Sequence, residues 1–249
     1  MNDDFYIGYL ARSPDRLGRH VRWGVAGTVF VALALIVGVA ARQTPAEPGS
    51  FEFGIERDFE GVLRVAPLPI LRSASASGAV TNYVLVGEGK HGLPAFAQAH
   101  DGERVRFRGS LIQKGPSVMV EMNDAKSFTA VGPATASDAP ENTVPLGRVV
   151  LTGELVDTKC YFGVMRPATG KVHRACAVRC LSGGVPPGLL VRDGRGGGVV
   201  VMLTGSGGGP LRLDPQWAAR SLRATGDLSL RDGIPVLDTT GLALDPGRR

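Results

Sequence analysis

The residues best suited to chemistry lie in one stretch, residues 157–187, which reads DTKCYFGVMRPATGKVHRACAVRCLSGGVPP. It holds all three cysteines of the chain and one of the four histidines: Cys160, His173, Cys176 and Cys180. Thiolate and imidazole groups are common ligands of Zn²⁺, and soft thiolates also suit Cu(I). The residue types therefore fit a zinc or copper site, a disulfide with a spare thiol, or ordinary packing, and all three remain open.

The spacing of these residues predicts one helix facing one strand. Residues 168–184 are rich in helix formers, with Thr169 available as a cap and a glycine pair, 183–184, as the stop. The histidine and the last two cysteines would then lie at i, i+3 and i+7 and share one face of the helix. Cys160 follows a predicted strand and can reach that face. Asp157, at the end of the same strand, is a possible supporting residue.

A structural disulfide with a third, partly buried thiol is the leading interpretation, ahead of a metal site and of a working redox thiol. The spacing C-x15-C-x3-C with one histidine is not a familiar zinc pattern, and exported cysteines are commonly oxidised. A bond from Cys160 to Cys176 or Cys180 would close a loop of about 15–20 residues and contribute about 3 kcal/mol. Any single disulfide leaves a third thiol, which is either reactive or buried as a small apolar group.

An apolar run near the N-terminus indicates the cellular compartment in which this cysteine cluster lies. Residues 23–41 carry no charge, and a helix of that length spans about 28 Å, close to the thickness of a hydrocarbon core. Trp23 opens the run, and Arg19 and Arg22 precede it on a basic arm, residues 1–22. The positive-inside rule places this arm in the cytoplasm and the bulk of the chain outside a bacterial inner membrane, in the periplasm or beyond.

The same segment could instead be a cleaved signal peptide, since Val39-Ala40-Ala41 resembles a cleavage site. The region before the apolar run and the run itself are both long for that purpose. We therefore interpret it as a retained single-pass helix. In either case the remainder of the chain is exported.

Composition and patterning after this helix predict mostly β structure. The chain has 35 glycines and 17 prolines but only 6% aromatic residues, which is typical of short strands joined by tight turns. Residues 42–50 are a polar tether. Strand patterns then fill residues 51–124 and 147–245, and residues 125–146 have the composition of a linker. The predicted fold is a transmembrane helix followed by two small OB-like β-barrels.

The two strand-rich units align with each other. Four pairs of similar residues share one offset of 117 positions: Arg106 and Arg223, Gly109 and Gly226, Leu111 and Leu228, and Lys114 and Arg231. Measured from a glycine in the first strand of each unit, the second unit is longer by 25 residues. This excess matches the cysteine-bearing stretch, so the second unit is expected to carry an insert at residues 157–187.

The motif of this insert indicates a family. It consists of Asp157-x-x-Cys160, then His173-x-x-Cys-x-x-x-Cys180, a Gly-Gly turn and a final strand pair that contains Gly226. In this pattern, residues 148–244 resemble a group of small exported bacterial OB-like proteins. The resemblance implies a fold and an exported setting, and it brings no activity with it.

Function is less determined than fold. Part of the net charge of +5 comes from the N-terminal arm, and the exported part lacks a basic stripe with stacking aromatics, so we expect no nucleic-acid partner. We predict a non-catalytic, membrane-anchored accessory or assembly subunit that binds other envelope proteins. The alternatives are a thiol or metal redox protein, a metal-handling protein and a sensor. The loop EGKHG at residues 88–92 is typical of a solvated turn that could contact a ligand or partner.

Overall fold

The computed structural model describes residues 14–42, 48–75, 77–135, 142–194 and 197–247. The chain divides into two compact units, one ending at Pro45 and the other beginning at Ala46. All the strands in the described part of the chain belong to the second unit. The predicted class, mostly β with an N-terminal apolar helix and two OB-like barrels, is confirmed.

Helix α1 (Asp15–Arg42) is long and apolar enough to span a membrane, with a mean hydropathy of 2.4 over its most apolar 18 residues. It begins eight residues before the predicted run, so Arg19 and Arg22 are helical and form the turn before Trp23. The first 13 residues of the predicted arm lie outside the described part of the chain.

The first barrel is closed by five strands, and two short strands extend its sheet. Strand β5 pairs with β2 and β6, and β4 runs parallel to β6, which closes the barrel. A four-residue helix, α2 (Ala95–Gln98), connects β4 to β5. The strands are β1 (Ser50–Phe51), β2 (Arg57–Arg64), β3 (Ile70–Ala74), β4 (Val80–Gly87), β5 (Glu103–Lys114), β6 (Ser117–Met122) and β7 (Thr129–Pro133).

Alternation along β5 shows why these residues form a half-buried strand. Val105 and Phe107 point into the barrel and are buried, whereas the arginines between and beside them face outward. Arg106 lies directly opposite Glu60 of β2 and pairs with it at 2.6 Å. One face of the strand therefore packs while the other carries cross-strand ion pairs.

The second barrel repeats this topology with a long insertion. Its strands are β8 (Thr143–Asp157), β9 (Pro187–Arg192), β10 (Gly198–Gly205), β11 (Ser221–Arg231) and β12 (Ile234–Leu244). They close in the order β10-β12-β11-β8-β9, with β10 parallel to β12. Helix α3 (Gly170–Ser182) lies in the connection from β8 to β9.

Strand register supports the repeat read from the sequence. Gly109 pairs with Met122 in the first barrel and Gly226 pairs with Thr239 in the second, so both partners move by the same 117 positions. The structure puts the extra residues of the second barrel between Asp157, the last residue of β8, and Pro187, the first of β9.

Residues 125–146 differ from the predicted linker. Strand β7 lies within this range and pairs with β5, and β8 already begins at Thr143. The composition of this range favours a linker, and its strands exist because β5 and β11 offer hydrogen-bonding edges. Of this range, residues 136–141 lie outside the described residues.

The described residues of the second unit form three apolar cores. One belongs to the first barrel and one to the second, while the third contains residues of both barrels. The first barrel contributes Leu68, Ile70, Val84, Val86, Ile112 and Met119 to this joint core; the second contributes Cys160, Phe162, Cys180, Val185, Met202 and Val236. The two barrels therefore pack directly on each other, and two cysteines lie where they meet.

Candidate functional site

Cys160 is placed by the residue that ends β8. The carboxylate Oδ1 of Asp157 accepts the backbone N–H of Cys160 at 2.9 Å. Cys160 then opens a single π-helical turn, Cys160–Val164, whose side chains at 160 and 162 are buried in the joint core. The spacing Asp-x-x-Cys thus lets a strand end in a tight turn that directs the thiol inward.

Helix α3 carries the other two cysteines, and its two ends are held in different ways. Thr169 occupies the N-cap position, but its side chain makes no capping hydrogen bond; the N–H of Gly170 donates instead to Glu154 Oε1 at 2.5 Å. At the C-terminal end the N–H of Val185 donates to the Cys180 carbonyl at 3.0 Å, around Gly184 at φ +89°. This is a Schellman motif, and it ends the helix where the glycine pair predicted.

The three sulfur atoms form one compact group. Cys160 Sγ lies 3.8 Å from Cys176 Sγ and 3.9 Å from Cys180 Sγ, and all three lie within 4.8 Å of one another. A disulfide would bring two sulfurs to about 2.05 Å. All three are free thiols: Cys160 and Cys180 are buried and Cys176 is half-buried.

His173, the predicted fourth ligand, is hydrogen-bonded to Asp157. Its Nε2 lies 2.9 Å from Oδ2 of Asp157, and both side chains are buried. Asp157, Cys160 and His173 form a second group that shares Cys160 with the sulfur cluster. Burial raises the pKa of Asp157, but hydrogen bonds from His173 and the Cys160 N–H outweigh it and bring that pKa below its ordinary value.

Two of the thiols are electrostatically linked. A hydrogen bond between Cys160 and Cys180, reinforced by burial, raises the pKa of Cys160, and the same hydrogen bond lowers the pKa of Cys180. Cys180 is therefore the member of the pair that gives up its proton more readily. Two groups this close lose their protons as one coupled system.

A lysine from the first barrel contacts the sulfur cluster. Lys90 Nζ lies 2.7 Å from Cys176 Sγ, and this hydrogen bond raises the pKa of Lys90 against the opposing effect of its burial. Lys90 belongs to the loop 88–92, which the sequence indicates as a solvated turn. Residues 88–91 are exposed, as expected for such a turn, and the loop also contacts α3 through the Lys90 side chain and the buried Gly92.

Backbone packing explains why this contact needs glycine. The N–H of Gly92 donates to the Gly183 carbonyl at 2.8 Å. A Cβ on Gly183 would come within 1.9 Å of the Lys90 carbonyl oxygen, and one on Gly92 within 2.1 Å of the Gly184 carbonyl oxygen. Only residues without a Cβ allow the two chain segments to approach this closely.

A buried lysine that sequence reasoning missed joins the barrels beside the cluster. Lys159 Nζ donates to the carbonyls of Gly87 at 2.7 Å and Gly89 at 2.6 Å, and it pairs with Glu121 of β6. All three ammonium protons thus have an acceptor. Lysine is normally a surface residue, so nothing local in the sequence marks this position.

Comparisons with known proteins add little. No family model matches the chain, and no curated protein matches it. Among solved structures, a deletion mutant of the single-stranded DNA-binding protein from Thermus aquaticus matches with a TM-score of 0.23 and 13% identity, over 81% of this chain and 97% of that chain. At this TM-score the match does not inform on ligands or activity.

Proposed function

We propose that this chain is a membrane-anchored accessory subunit of a bacterial envelope complex whose barrels bind one Zn²⁺ or Cu(I) ion through Cys160, Cys176 and Cys180. The observation that carries the metal proposal is the spacing of the sulfurs, 3.8 and 3.9 Å. Tetrahedral thiolates at a metal–sulfur distance of about 2.3 Å are separated by about 3.8 Å. Two of the three sulfur pairs thus have the separation that a shared metal ion would require, and the third lies within 4.8 Å.

The surroundings of the sulfurs fit a bound ion. Asp157 holds the backbone of Cys160, and the buried His173 holds Asp157 in turn. Such outer contacts orient ligands before the metal arrives. Three thiolates suit Cu(I) directly and leave a fourth position for another ligand on Zn²⁺. Access is from the side of Cys176, the half-buried member of the group.

The metal proposal is tested on the full chain purified from membranes without reducing agent. We expect about one zinc or copper per chain by elemental analysis, with three thiols alkylated after chelation. Cys176→Ser should lose the metal. Val172→Ala is the matched control, since it lies on the same helix with its side chain exposed. An intact mass two daltons below the reduced value, one alkylatable thiol and no metal would establish a disulfide and overturn the proposal.

Exposed apolar side chains on β8 support the accessory role. Val144, Leu146 and Val150 are 45%, 50% and 51% exposed. Several exposed apolar side chains close together along one strand are a common feature of contact sites for other proteins. The partner we propose is another subunit of the same envelope complex.

Site-specific photo-crosslinking in intact cells tests the partner proposal. A crosslinker at position 146 should give one discrete adduct with an envelope protein, and that adduct should disappear when Val144 and Val150 are changed to aspartate. A crosslinker at the exposed Ser206 is the control. The same weak adducts at both positions would refute a specific partner without bearing on the metal site.

A further inference from the structure

A cleft where the two barrels and the insert meet has no part in the metal site. Its volume is about 600 Å³. The β5–β6 hairpin lines it from the first barrel, β10 lines it from the second, and residues 161–169 of the insert form a third wall. Pockets that enclose small ligands typically have volumes of about 300–1,000 Å³.

The floor of this cleft is apolar because it is the surface of the joint core. Val84, Phe162 and Met202 belong to both the core and the lining. Val200 and Ile234 pack against the same core and line the cleft from the second barrel. An apolar ligand in this position would bury its own apolar surface and that of the cleft, which removes both from water.

The polar part of the lining has one sign of charge. Lys114, Arg166 and Arg192 line the cleft, and among the described residues that line it there is no aspartate or glutamate. Lys114 Nζ sits 4.0 Å above the ring of Tyr161. Cationic groups around an apolar floor favour an anion and repel a cation.

The two guanidinium groups are held in place by their own contacts. Arg166 Nη2 donates to the Gly49 carbonyl at 2.6 Å, and Arg192 Nη2 pairs with Glu154 Oε2 at 3.2 Å. A guanidinium has five N–H donors in a planar fork, so a group fixed by one nitrogen can present others to a carboxylate or phosphate. Both arginines are thus suited to receive an anionic head.

We propose that the cleft binds an amphiphilic anion, with its apolar body on the floor and its carboxylate, sulfonate or phosphate head at Arg166 and Arg192. The ligand is either an acyl-chain acid, as from lipid, or a soluble aromatic acid. Both kinds of molecule have an apolar body and an anionic head, which are the two features that the lining favours. The binding does not depend on the metal site.

Displacement of an anionic fluorophore tests the proposal on the full chain in nanodiscs of zwitterionic lipid. Anilinonaphthalene sulfonate should bind one saturable site after subtraction of empty nanodiscs. Dodecanoate and 2-naphthoate are the competitors, and dodecyltrimethylammonium is the cationic counterpart, which should not compete. Displacement by dodecanoate alone assigns an acyl ligand, and displacement by naphthoate alone assigns an aromatic acid.

Variants distinguish binding in the cleft from nonspecific binding of the fluorophore. Arg166→Gln and Arg192→Gln should each weaken binding at least about tenfold, because each removes a charge-assisted hydrogen bond. Val200→Trp should abolish it by filling the cleft. Arg223→Gln is the matched control, since this exposed arginine of β11 lies outside the lining. Circular dichroism identifies any variant that fails to fold. No saturable binding, equal affinity in all folded variants, or equal competition by the cation would overturn the proposal.

Discussion

The two barrels share strand order and register but differ in the connection between their first two strands. In the first barrel five residues separate β2 from β3, and in the second 29 residues separate β8 from β9. The long connection supplies the cysteines, α3 and Lys159. On the first barrel, Lys90 contacts Cys176, while two glycine carbonyls and Glu121 bind the ammonium group of Lys159. The insertion thus supplies all three thiols and a large part of the contact between the barrels.

The largest effect on this joint is expected from Lys159→Met. The change leaves Glu121 buried without its cation, and breaking a buried ion pair costs about 3–5 kcal/mol. Urea unfolding followed by circular dichroism measures the loss. Lys171→Met on the exposed side of α3 is the control. The double variant Lys159→Met, Glu121→Leu should recover part of the loss, and a cost under about 1 kcal/mol for Lys159→Met alone would contradict a structural role.

Metal removal should destabilise the same joint through the cluster. If one ion binds only the folded chain at a free concentration of 100 times its Kd, chelation lowers the free energy of unfolding by about 2.7 kcal/mol. The measurement is the urea midpoint with and without chelator. The midpoint of Cys176→Ser should not respond to chelator, and an equal response in both proteins would show that the chelator acts elsewhere.

Gly183→Ala tests the close approach of the loop 88–92 to α3. The added Cβ meets the Lys90 carbonyl oxygen at 1.9 Å, and overpacking of this kind costs about 1–3 kcal/mol. Gly241→Ala serves as control, because the nearest atom to its Cβ is 3.9 Å away. Thermal unfolding compares the two, and equal melting temperatures would mean that the loop moves aside freely.

The smallest effect is expected from the ion pair that joins the barrels away from the cysteines. Arg72 Nε and Asp232 Oδ2 are 3.0 Å apart with side chains 12% and 8% exposed. A double-mutant cycle with Arg72→Met and Asp232→Asn should give a coupling of about 1 kcal/mol or more. The exposed pair Arg57 and Glu52, within the first barrel, should give less than that. If the exposed pair couples more strongly, the joint does not depend on this contact.

Much of the fold could be predicted because its signals are local. The apolar run of α1, the strand alternation in residues such as Val105 and Phe107, and the glycine pair that ends α3 each act within a few residues of the chain. The constant offset of 117 positions also holds for the strand partners of Gly109 and Gly226, which the structure shows to be Met122 and Thr239. Strand β7 was missed because its composition is that of a linker and only its pairing with β5 makes it a strand.

The candidate site was predictable only in part. Helical spacing correctly placed Cys176 and Cys180 on one face near Cys160, since that relation is set by the helix itself. His173 lies on the same helix, yet its partner is Asp157, because a buried carboxylate needs a hydrogen-bond donor more than the cluster needs a fourth ligand.

By itself, the sequence determined an apolar helix that could span a membrane, two related sets of strands and an insert that carries every cysteine. These follow from periodicity, turn residues and spacing, which are properties of short segments. Only the tertiary structure decided that the barrels share a core, that Lys159 is buried and that Lys90 faces a thiol. Those contacts join residues 70 to 86 positions apart, and no local pattern encodes which distant surfaces will meet.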